Sequence, residues 1–232
     1  MTRKTPEDRL ERLVDCATQV FIAQGYARTQ MADVATALGV AKGTLYLAVE
    51  SKEALFDLAA RYADAPRPFV PPPALPVRTP KPGATLTFVR DRLTQAQVPP
   101  TLVTALTRRS AARDTRRELQ TILGELYDTL VANRYGIKLL DCCARDYPEL
   151  AALWFEGARG GLIVALEQYL GSAHRRRVLR TFPAPEVVAR MLIETIVFWA
   201  VHRQWDAHPQ AVDEAATQDT VVKFLVAALT KE

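Results

Sequence analysis

An apolar stripe at helical spacing marks the N-terminal part of the chain. Apolar residues recur there at intervals of three, four and seven, which places them on one face of an α-helix: Leu10, Leu13, Val14, Ala17 and Phe21. Thr5-Pro6 suits the start of this helix, because threonine caps helices and proline fits the first helical position. Gly25 suits its end, since glycine readily adopts the left-handed conformation that terminates many helices.

Three shorter helices are predicted next. Thr29 is placed to cap a helix over residues 30–38, and Gly39 makes the turn after it. A third helix is predicted over residues 41–49, and Ser51 is placed to cap a fourth. The inner face of the fourth helix carries Leu55, Leu58 and Ala59. Two short helices joined by a glycine turn are typical of a helix-turn-helix, which places its second helix in the major groove of DNA.

The composition changes abruptly between residues 65 and 83, where eight of the 15 prolines lie. Proline fits neither a helix interior nor a central strand, so this run predicts a stiff, extended connector. We favour a spacer over the alternative, a peptide ligand for an SH3-like domain. The predicted parts are a helix-turn-helix domain with the start of a connecting helix (1–63), a proline-rich linker (64–83) and a helical domain (84–232).

The C-terminal part contains helical patterns and no alternating strand pattern. Helices are predicted over residues 84–97, after Pro99-Pro100, and over residues 112–145, 147–170, 185–206 and 212–230. The predicted fold class is therefore all-α. An N-terminal three-helix domain carries the helix-turn-helix, and a C-terminal helical bundle follows it.

Composition and charge add little to this picture. The 232 residues are 49% hydrophobic and 24% charged, as in an ordinary globular protein, and the net charge is +4. Residues 1–62 hold eight basic and eight acidic side chains, so any DNA affinity must come from their placement. Three cysteines, an odd number, favour a reducing compartment over a disulfide framework. No apolar run approaches the roughly 18 residues of a membrane span, so we predict a cytoplasmic protein.

The third predicted helix has the residue types that a recognition helix needs. Small residues at its start let the backbone approach the groove, donors reach bases and phosphates, and apolar residues anchor it. The small residues are Ala41, Gly43 and Thr44. The donors are Lys42, Thr44 and Tyr46, and the anchors are Val40, Leu45 and Val49.

Four motifs follow one another in unbroken order through this region. They are F-x-x-x-G-Y from Phe21, T-x-M-A-D-V-A from Thr29, L-G-V-A-K-G-T-L-Y from Leu38 and S-K-E-A-L-F from Ser51. Together, residues 5–62 resemble the N-terminal domain of the TetR/AcrR-type bacterial transcriptional regulators. The resemblance implies a repressor that a small, apolar effector releases from a palindromic operator.

The resemblance also implies DNA contacts, position by position. The expected contact residues are Thr29, Gln30, Ala41, Lys42, Gly43, Thr44, Tyr46 and Lys52. Thr29, Tyr46 and Lys52 are expected at phosphates, while Lys42, Gly43 and Thr44 are expected at base edges. Gln30 is expected to contact either a phosphate or a base edge. The structural alternatives are that Thr29 only caps and that Tyr46 mainly packs.

One position departs from the family pattern. The family commonly has L-Y-x-[YH]-F where this chain has Ala48 and Val49. Val49 keeps a smaller apolar anchor, but Ala48 removes a ring or donor. We expect a weaker grip on phosphate, offset by Arg28 or by an Arg3-Lys4 arm.

The resemblance implies a homodimer and an effector site in the C-terminal part. Dimerisation is expected through residues 185–206 and 212–230, whose broad apolar surfaces need partners on two sides. The candidate effector-lining residues are Phe88, Tyr127, Tyr135, Cys142, Trp154, Phe155, Trp199 and His202. Glu194 lies in an apolar run, where it is exposed, paired with Arg190 or His202, or facing an effector.

Three other functions are weighed against a DNA-binding regulator. One is an all-helical ligand-binding or interaction protein with a weakened helix-turn-helix, and another is a thiol sensor that uses Cys142 and Cys143. The third is an enzyme. We expect neither an enzyme nor a metal or cofactor, because the three histidines lack metal-ligand spacing and no glycine-rich phosphate loop occurs.

Overall fold

The computed structural model describes residues 6–70, 72, 74–95, 98–108, 114–175 and 179–231. Within these ranges the chain is helical and has two isolated β-bridges but no strand, which confirms the all-α prediction. The helices are α1 Pro6–Gln24, α2 Met31–Leu38, α3 Lys42–Tyr46, α4 Lys52–Tyr62, α5 Ala84–Gln95, α6 Pro100–Thr107, α7 Thr115–Ala132, α8 Arg134–Cys143, α9 Pro148–Ala151, α10 Gly160–Arg175, α11 Pro185–Ala200 and α12 Glu214–Leu229. None of the helices described is long and apolar enough to cross a membrane.

The described residues form two compact units. The first lies within Met1–Gln95 and Tyr135–Phe155, and the second within Ala96–Arg134 and Glu156–Glu232. These units differ from the predicted ranges 1–63, 64–83 and 84–232. The difference arises because the proline-rich segment and the segment after Tyr135 both contact the helices of the helix-turn-helix.

The core of the first unit is built on α1. The predicted stripe is confirmed, since its five apolar side chains are all buried: Leu10, Leu13, Val14, Ala17 and Phe21. Helix α1 packs on α2 and α4. The Phe21 ring meets Phe56 of α4 edge to face, with 5.3 Å between ring centroids. Gly25 has φ +80°, which confirms a left-handed end to this helix.

The proline-rich segment is not the free spacer that its composition predicts. It is free of helix at the described positions, as expected, but it packs on the first unit. The Phe69 ring is buried and stacks on Tyr62, with centroids 4.4 Å apart, and the Phe69 N–H donates to Glu11 Oε1 at 3.2 Å. Arg67 pairs with Asp15 of α1. Residues 74–81, which we call the proline strap, contact the turn between α3 and α4.

Two long helices predicted from the sequence are interrupted. The helix predicted over residues 112–145 ends at Ala132, because Asn133 leaves the helical conformation and its side chain donates to the Thr129 carbonyl. The helix predicted over residues 147–170 consists of α9, a π-helical stretch at Ala152–Arg159 and α10, which begins at the Gly160-Gly161 pair.

Helices α11 and α12 correct the ends of the two helices predicted last. The predicted helix over residues 185–206 is α-helical only to Ala200, and a 3₁₀ turn at His202–Trp205 follows it. The one predicted over residues 212–230 begins after Asp213, whose carboxylate accepts the Ala216 N–H at 2.9 Å. In the second unit α11 packs on α7, α10 and α12.

A polar cluster centred on Glu214 joins three parts of the second unit. Its carboxylate accepts hydrogen bonds from the Tyr127 hydroxyl at 2.7 Å, from Arg134 at 2.8 Å and from Arg203 at 3.0 Å. Burial tends to raise the pKa of Glu214, but the bonds from Tyr127 and Arg134 outweigh it and lower that pKa. The cluster ties α7, the 3₁₀ turn and the start of α12 together.

We expect Glu214→Gln to destabilise the fold, because it leaves the buried Arg203 without its counter-charge. The Glu214 side chain is 38% exposed, so the loss is about 1–2 kcal/mol, below that of a fully buried pair. Because the folded pKa is lowered, this stabilisation is present above the unfolded pKa of about 4.3 and is lost as the pH falls through the folded value. Urea unfolding at pH 7 and near pH 3 measures both effects. Asp219→Asn, which breaks the exposed pair with Lys223, is the control and should cost less than about 0.5 kcal/mol.

Candidate nucleic-acid interface

The turn between α2 and α3 fixes the direction of the short helix α3. Gly39 ends α2 in the left-handed conformation at φ 73°, and its N–H donates to the Thr36 carbonyl at 3.0 Å. The Leu45 and Val49 side chains are fully buried, which confirms both as anchors. Val40, the third predicted anchor, is half-buried. Helix α3 is therefore held by its C-terminal half.

The opposite face of α3 is open to solvent. Four consecutive residues at its start are exposed: Ala41, Lys42, Gly43 and Thr44. The Tyr46 side chain is 42% exposed. A Cβ added at Gly43 would meet no atom within 4 Å, so no packing inside the chain requires a glycine there. The structure thus brings the predicted base-edge residues onto one accessible surface.

The start of α2 differs from the prediction at Thr29. Its hydroxyl donates to the Gly25 carbonyl at 2.7 Å, and the residue is buried. The N-cap position is Gln30, whose N–H donates to Asp33 Oδ2 at 2.8 Å. The prediction that Thr29 caps α2 is therefore wrong, because the chain enters the helix one residue later. Gln30 is exposed at the end of the helix.

Lys52 lies at the start of α4 but turns its ammonium group toward the α1–α2 turn. Its Nζ donates to the Tyr26 carbonyl at 3.0 Å and to the Ala27 carbonyl at 3.2 Å. The same nitrogen lies 4.6 Å from the centroid of the Tyr26 ring. Two of the three ammonium donors are thus engaged within the chain, so Lys52 positions the turn. Its phosphate contact remains a prediction.

Asp146 closes the other side of the same turn. Its two carboxylate oxygens accept the N–H groups of Tyr26 and Ala27, each at 3.0 Å. Next to it, the Tyr147 ring lies 4.8 Å from the Tyr26 ring, centroid to centroid. Burial, and then the nearby Glu53 charge, raises the pKa of Tyr26 to about 12. Sequence reasoning missed Asp146, since it lies 120 residues from Tyr26 and in no motif.

We expect Gly25→Ala to destabilise the first unit more than Gly39→Ala. Both glycines have positive φ, so each substitution incurs the left-handed penalty of about 1–2 kcal/mol. At Gly25 the new Cβ would also lie 2.8 Å from Asp146 Oδ2, whereas at Gly39 it meets no atom within 4 Å. The difference between the two variants in thermal unfolding isolates this clash. Equal losses of stability would contradict the contact with Asp146.

The departure at Ala48 and Val49 leaves the anchor intact. Val49 is fully buried and Ala48 is half-buried. Arg28 was predicted to compensate for the donor missing at Ala48; it is exposed, and its Nε donates to the Gln24 carbonyl at 2.8 Å. The other predicted residues, Arg3 and Lys4, lie outside the described residues. The neighbour that sequence reasoning missed is the proline strap, whose Val77 N–H donates to the Ala48 carbonyl.

The eight candidate effector-lining residues divide between the two units. Tyr127, Trp199 and His202 belong to the second, and the other five belong to the first: Phe88, Tyr135, Cys142, Trp154 and Phe155. Tyr127 and Trp199 come together, since the Tyr127 hydroxyl lies 3.4 Å from the Trp199 carbonyl oxygen. The structure therefore does not gather all eight within a single unit.

Several of these side chains already have partners. The Phe88 ring lies under the Arg61 guanidinium group, 4.2 Å from it. Glu194 pairs with Arg190 at 2.6 Å, which was one of the alternatives left open, and also with Arg159. The buried Trp154 Nε1 has no hydrogen-bond partner among the described residues.

Burial keeps the thiols of Cys142 and Cys143 protonated, as in cysteines that only pack. All three are free thiols. Burial raises the pKa of Cys142 and, more strongly, that of Cys143, whose Sγ lies 3.8 Å from the Phe21 carbonyl oxygen. A thiol sensor needs a thiolate near neutral pH, and a raised pKa works against one.

A short exposed helix, which a glycine turn holds beside α2, is typical of a helix-turn-helix protein. Residues 13–59 match the profile of a family described as "Bacterial regulatory proteins, tetR family". The match spans α1 to α4 and supports a TetR-type bacterial transcriptional regulator. No curated protein sequence matches the chain significantly.

Solved structures share the fold over the whole chain. The ketosteroid transcriptional regulator KstR2 of Mycobacterium tuberculosis is 16% identical, and the match covers 97% of this chain and 96% of that one with a TM-score of 0.59. An alanine-substituted mutant of HlyIIR is 13% identical over 100% of both chains, with a TM-score of 0.53. These neighbours show the fold, and the family match supports a DNA-binding transcriptional regulator.

Proposed function

We propose that the chain is a transcriptional repressor, which binds a palindromic DNA operator as a homodimer and leaves it when a small apolar effector binds. The observation that carries the proposal is the exposed N-terminal face of α3. Lys42 and Thr44 supply donors for base edges there, and Gly43 permits close approach to the groove floor. A regulator of this kind works where the DNA is, so we also propose a cytoplasmic location.

A dimer is supported by the outer faces of α11 and α12. Four large apolar side chains are exposed there in the single chain: Val187, Met191, Phe198 and Phe224. The most exposed are Phe224, at 69%, and Met191, at 62%. Large exposed apolar side chains are typical of a protein interface, and a symmetric dimer would cover them with the same helices of a second copy.

The effector proposal rests on the composition of the helices outside the helix-turn-helix. Its candidate lining residues are mostly aromatic, and such side chains favour an apolar ligand. KstR2, which shares the fold, is named a ketosteroid regulator, and a ligand of that apolar character suits this residue set. The unpartnered Trp154 Nε1 would be the donor for a polar group on such a ligand.

The alternatives have less support. A ligand-binding protein with a weakened helix-turn-helix is favoured by the neutral charge of residues 1–62 and by Ala48. Against it, the start of α3 is exposed, and Leu45 and Val49 are buried. A thiol sensor at Cys142 and Cys143 is disfavoured by their raised pKa values. An enzyme is disfavoured because the matched family consists of regulatory proteins.

Selection from a random duplex library tests the proposal. The duplexes should be about 30 base pairs long, which leaves room for two half-sites separated by one helical turn. The expected result is enrichment of a palindrome, from which an apolar effector releases the protein. No enrichment at low salt would contradict the repressor, and enrichment of a single half-site would contradict the dimer.

A further inference from the structure

The proline strap is fixed to the turn that follows the recognition helix. The Val77 N–H donates to the Ala48 carbonyl at 2.8 Å, and the Glu50 N–H donates to the Val77 carbonyl at 3.0 Å, as between parallel strands. Thr79 continues the contact, since its N–H donates to Glu50 Oε2 and its hydroxyl donates to Ser51 Oγ, both at 2.9 Å. Four hydrogen bonds therefore hold the strap beside the end of α3.

This pairing presents Arg78 to solvent. Its side chain is 83% exposed and its guanidinium group contacts Glu50 Oε1 at 2.7 Å. An exposed ion pair contributes little stability, so another anion readily replaces the Glu50 carboxylate. Glu50 would keep the Thr79 N–H as a partner after such an exchange. The strap carries two exposed basic side chains, Arg78 and Lys81, and no acidic one, which further favours an anionic ligand.

The position of Arg78 along α3 suits a phosphate. Helix α3 has five residues and rises about 1.5 Å per residue. Its length is therefore less than the width of the major groove, which is about 12 Å. When its N-terminal residues face the bases, the residues just beyond its C-terminal end lie at the groove wall, where the phosphates run. Ala48, whose carbonyl holds the strap, lacks the donor common in the family.

We propose that Arg78 is a further DNA-contacting residue, which binds a backbone phosphate at the edge of the half-site and replaces the donor missing at Ala48. The inference rests on the proposed function, because it requires α3 to enter the major groove. A phosphate contact adds affinity and salt dependence but no base preference. The proline-rich segment is then part of the DNA-binding surface.

A salt series on the selected duplex tests this role. For Arg78→Ala, we expect the slope of log K against log salt to become less steep by about 0.9 per chain, or about 1.8 per dimer. The same slope predicts a loss of affinity of about eightfold per chain, or about sixtyfold per dimer, at about 0.1 M salt. The base preference should stay unchanged.

Two variants complete the test. Arg78→Lys keeps the charge and should restore the slope, while Arg90→Ala removes an exposed arginine from α5 and should leave it unchanged. An unaltered slope and affinity in Arg78→Ala, or an equal change in Arg90→Ala, would overturn the role of Arg78 alone. A wild-type chain that retains no duplex would contradict both this inference and the proposed function.

Discussion

Lys42→Ala combined with Tyr46→Ala is expected to abolish specific operator binding. Lys42 is exposed at the start of α3, where a good base contact is worth about 1–3 kcal/mol. A dimer presents two copies, so the loss from Lys42 alone is about 2–6 kcal/mol, and the Tyr46 phosphate contact is lost as well. Binding should fall to the non-specific level, with a Kd of about 10⁻⁴ to 10⁻⁶ M. Fluorescence anisotropy with the selected duplex measures this.

The same preparation shows whether these two residues act on DNA or on the fold. Neither side chain is buried, so the double variant should keep the wild-type unfolding temperature and dimer mass. Arg90→Ala, which also removes one positive charge, should bind as the wild-type chain does. Loss of the dimer in the double variant would mean that Lys42 and Tyr46 are structural.

Met191→Glu combined with Phe224→Glu is expected to convert the dimer into a monomer. Both side chains are exposed in the single chain, so the substitutions leave the folded unit intact. In a dimer they place carboxylates against an apolar surface, and a buried unpaired charge is costly. Sedimentation equilibrium should then give a mass near 25.8 kDa. Affinity for the palindrome should fall by about 10²- to 10⁴-fold, because the two domains are no longer linked.

The matched control for this variant is Val164→Glu. Val164 is an exposed apolar residue on α10 of the same unit, so it tests the effect of a new surface carboxylate on a helix other than α11 and α12. It should leave the mass and the DNA affinity unchanged. A dimer that survives in the double variant would contradict an interface on α11 and α12.

Local patterns predict most of the helices in this chain. The stripe from Leu10 to Phe21 identified α1 because every member lies on one face of the same helix and is buried. Ser51 was correctly identified as a cap, since its Oγ accepts the Ala54 N–H three residues later. The break at Asn133 was missed, because the apolar pattern continues past this residue. The helix ends there through a hydrogen bond from the Asn133 side chain to the Thr129 carbonyl, which the pattern does not show.

Long-range pairings explain what the sequence did not predict at the site. Lys52 and Asp146 converge on the turn at Tyr26, and no spacing rule joins residues so far apart. The proline strap is a second case, since its composition favours an extended spacer while Val77 and Thr79 bind it to the α3–α4 turn. The exposed residues of α3 were predicted, because an unbroken motif of nine residues contains both the turn and the helix.

We propose above that α3 recognises a specific duplex DNA sequence as part of a dimer. The most direct test of this proposal is a gel-shift titration of the wild-type chain with the DNA that lies beside its own gene. We expect a saturable shift at two chains per duplex, which the unlabelled duplex removes and a scrambled duplex of equal length does not. No shift at low salt, or equal competition by the scrambled duplex, would contradict it.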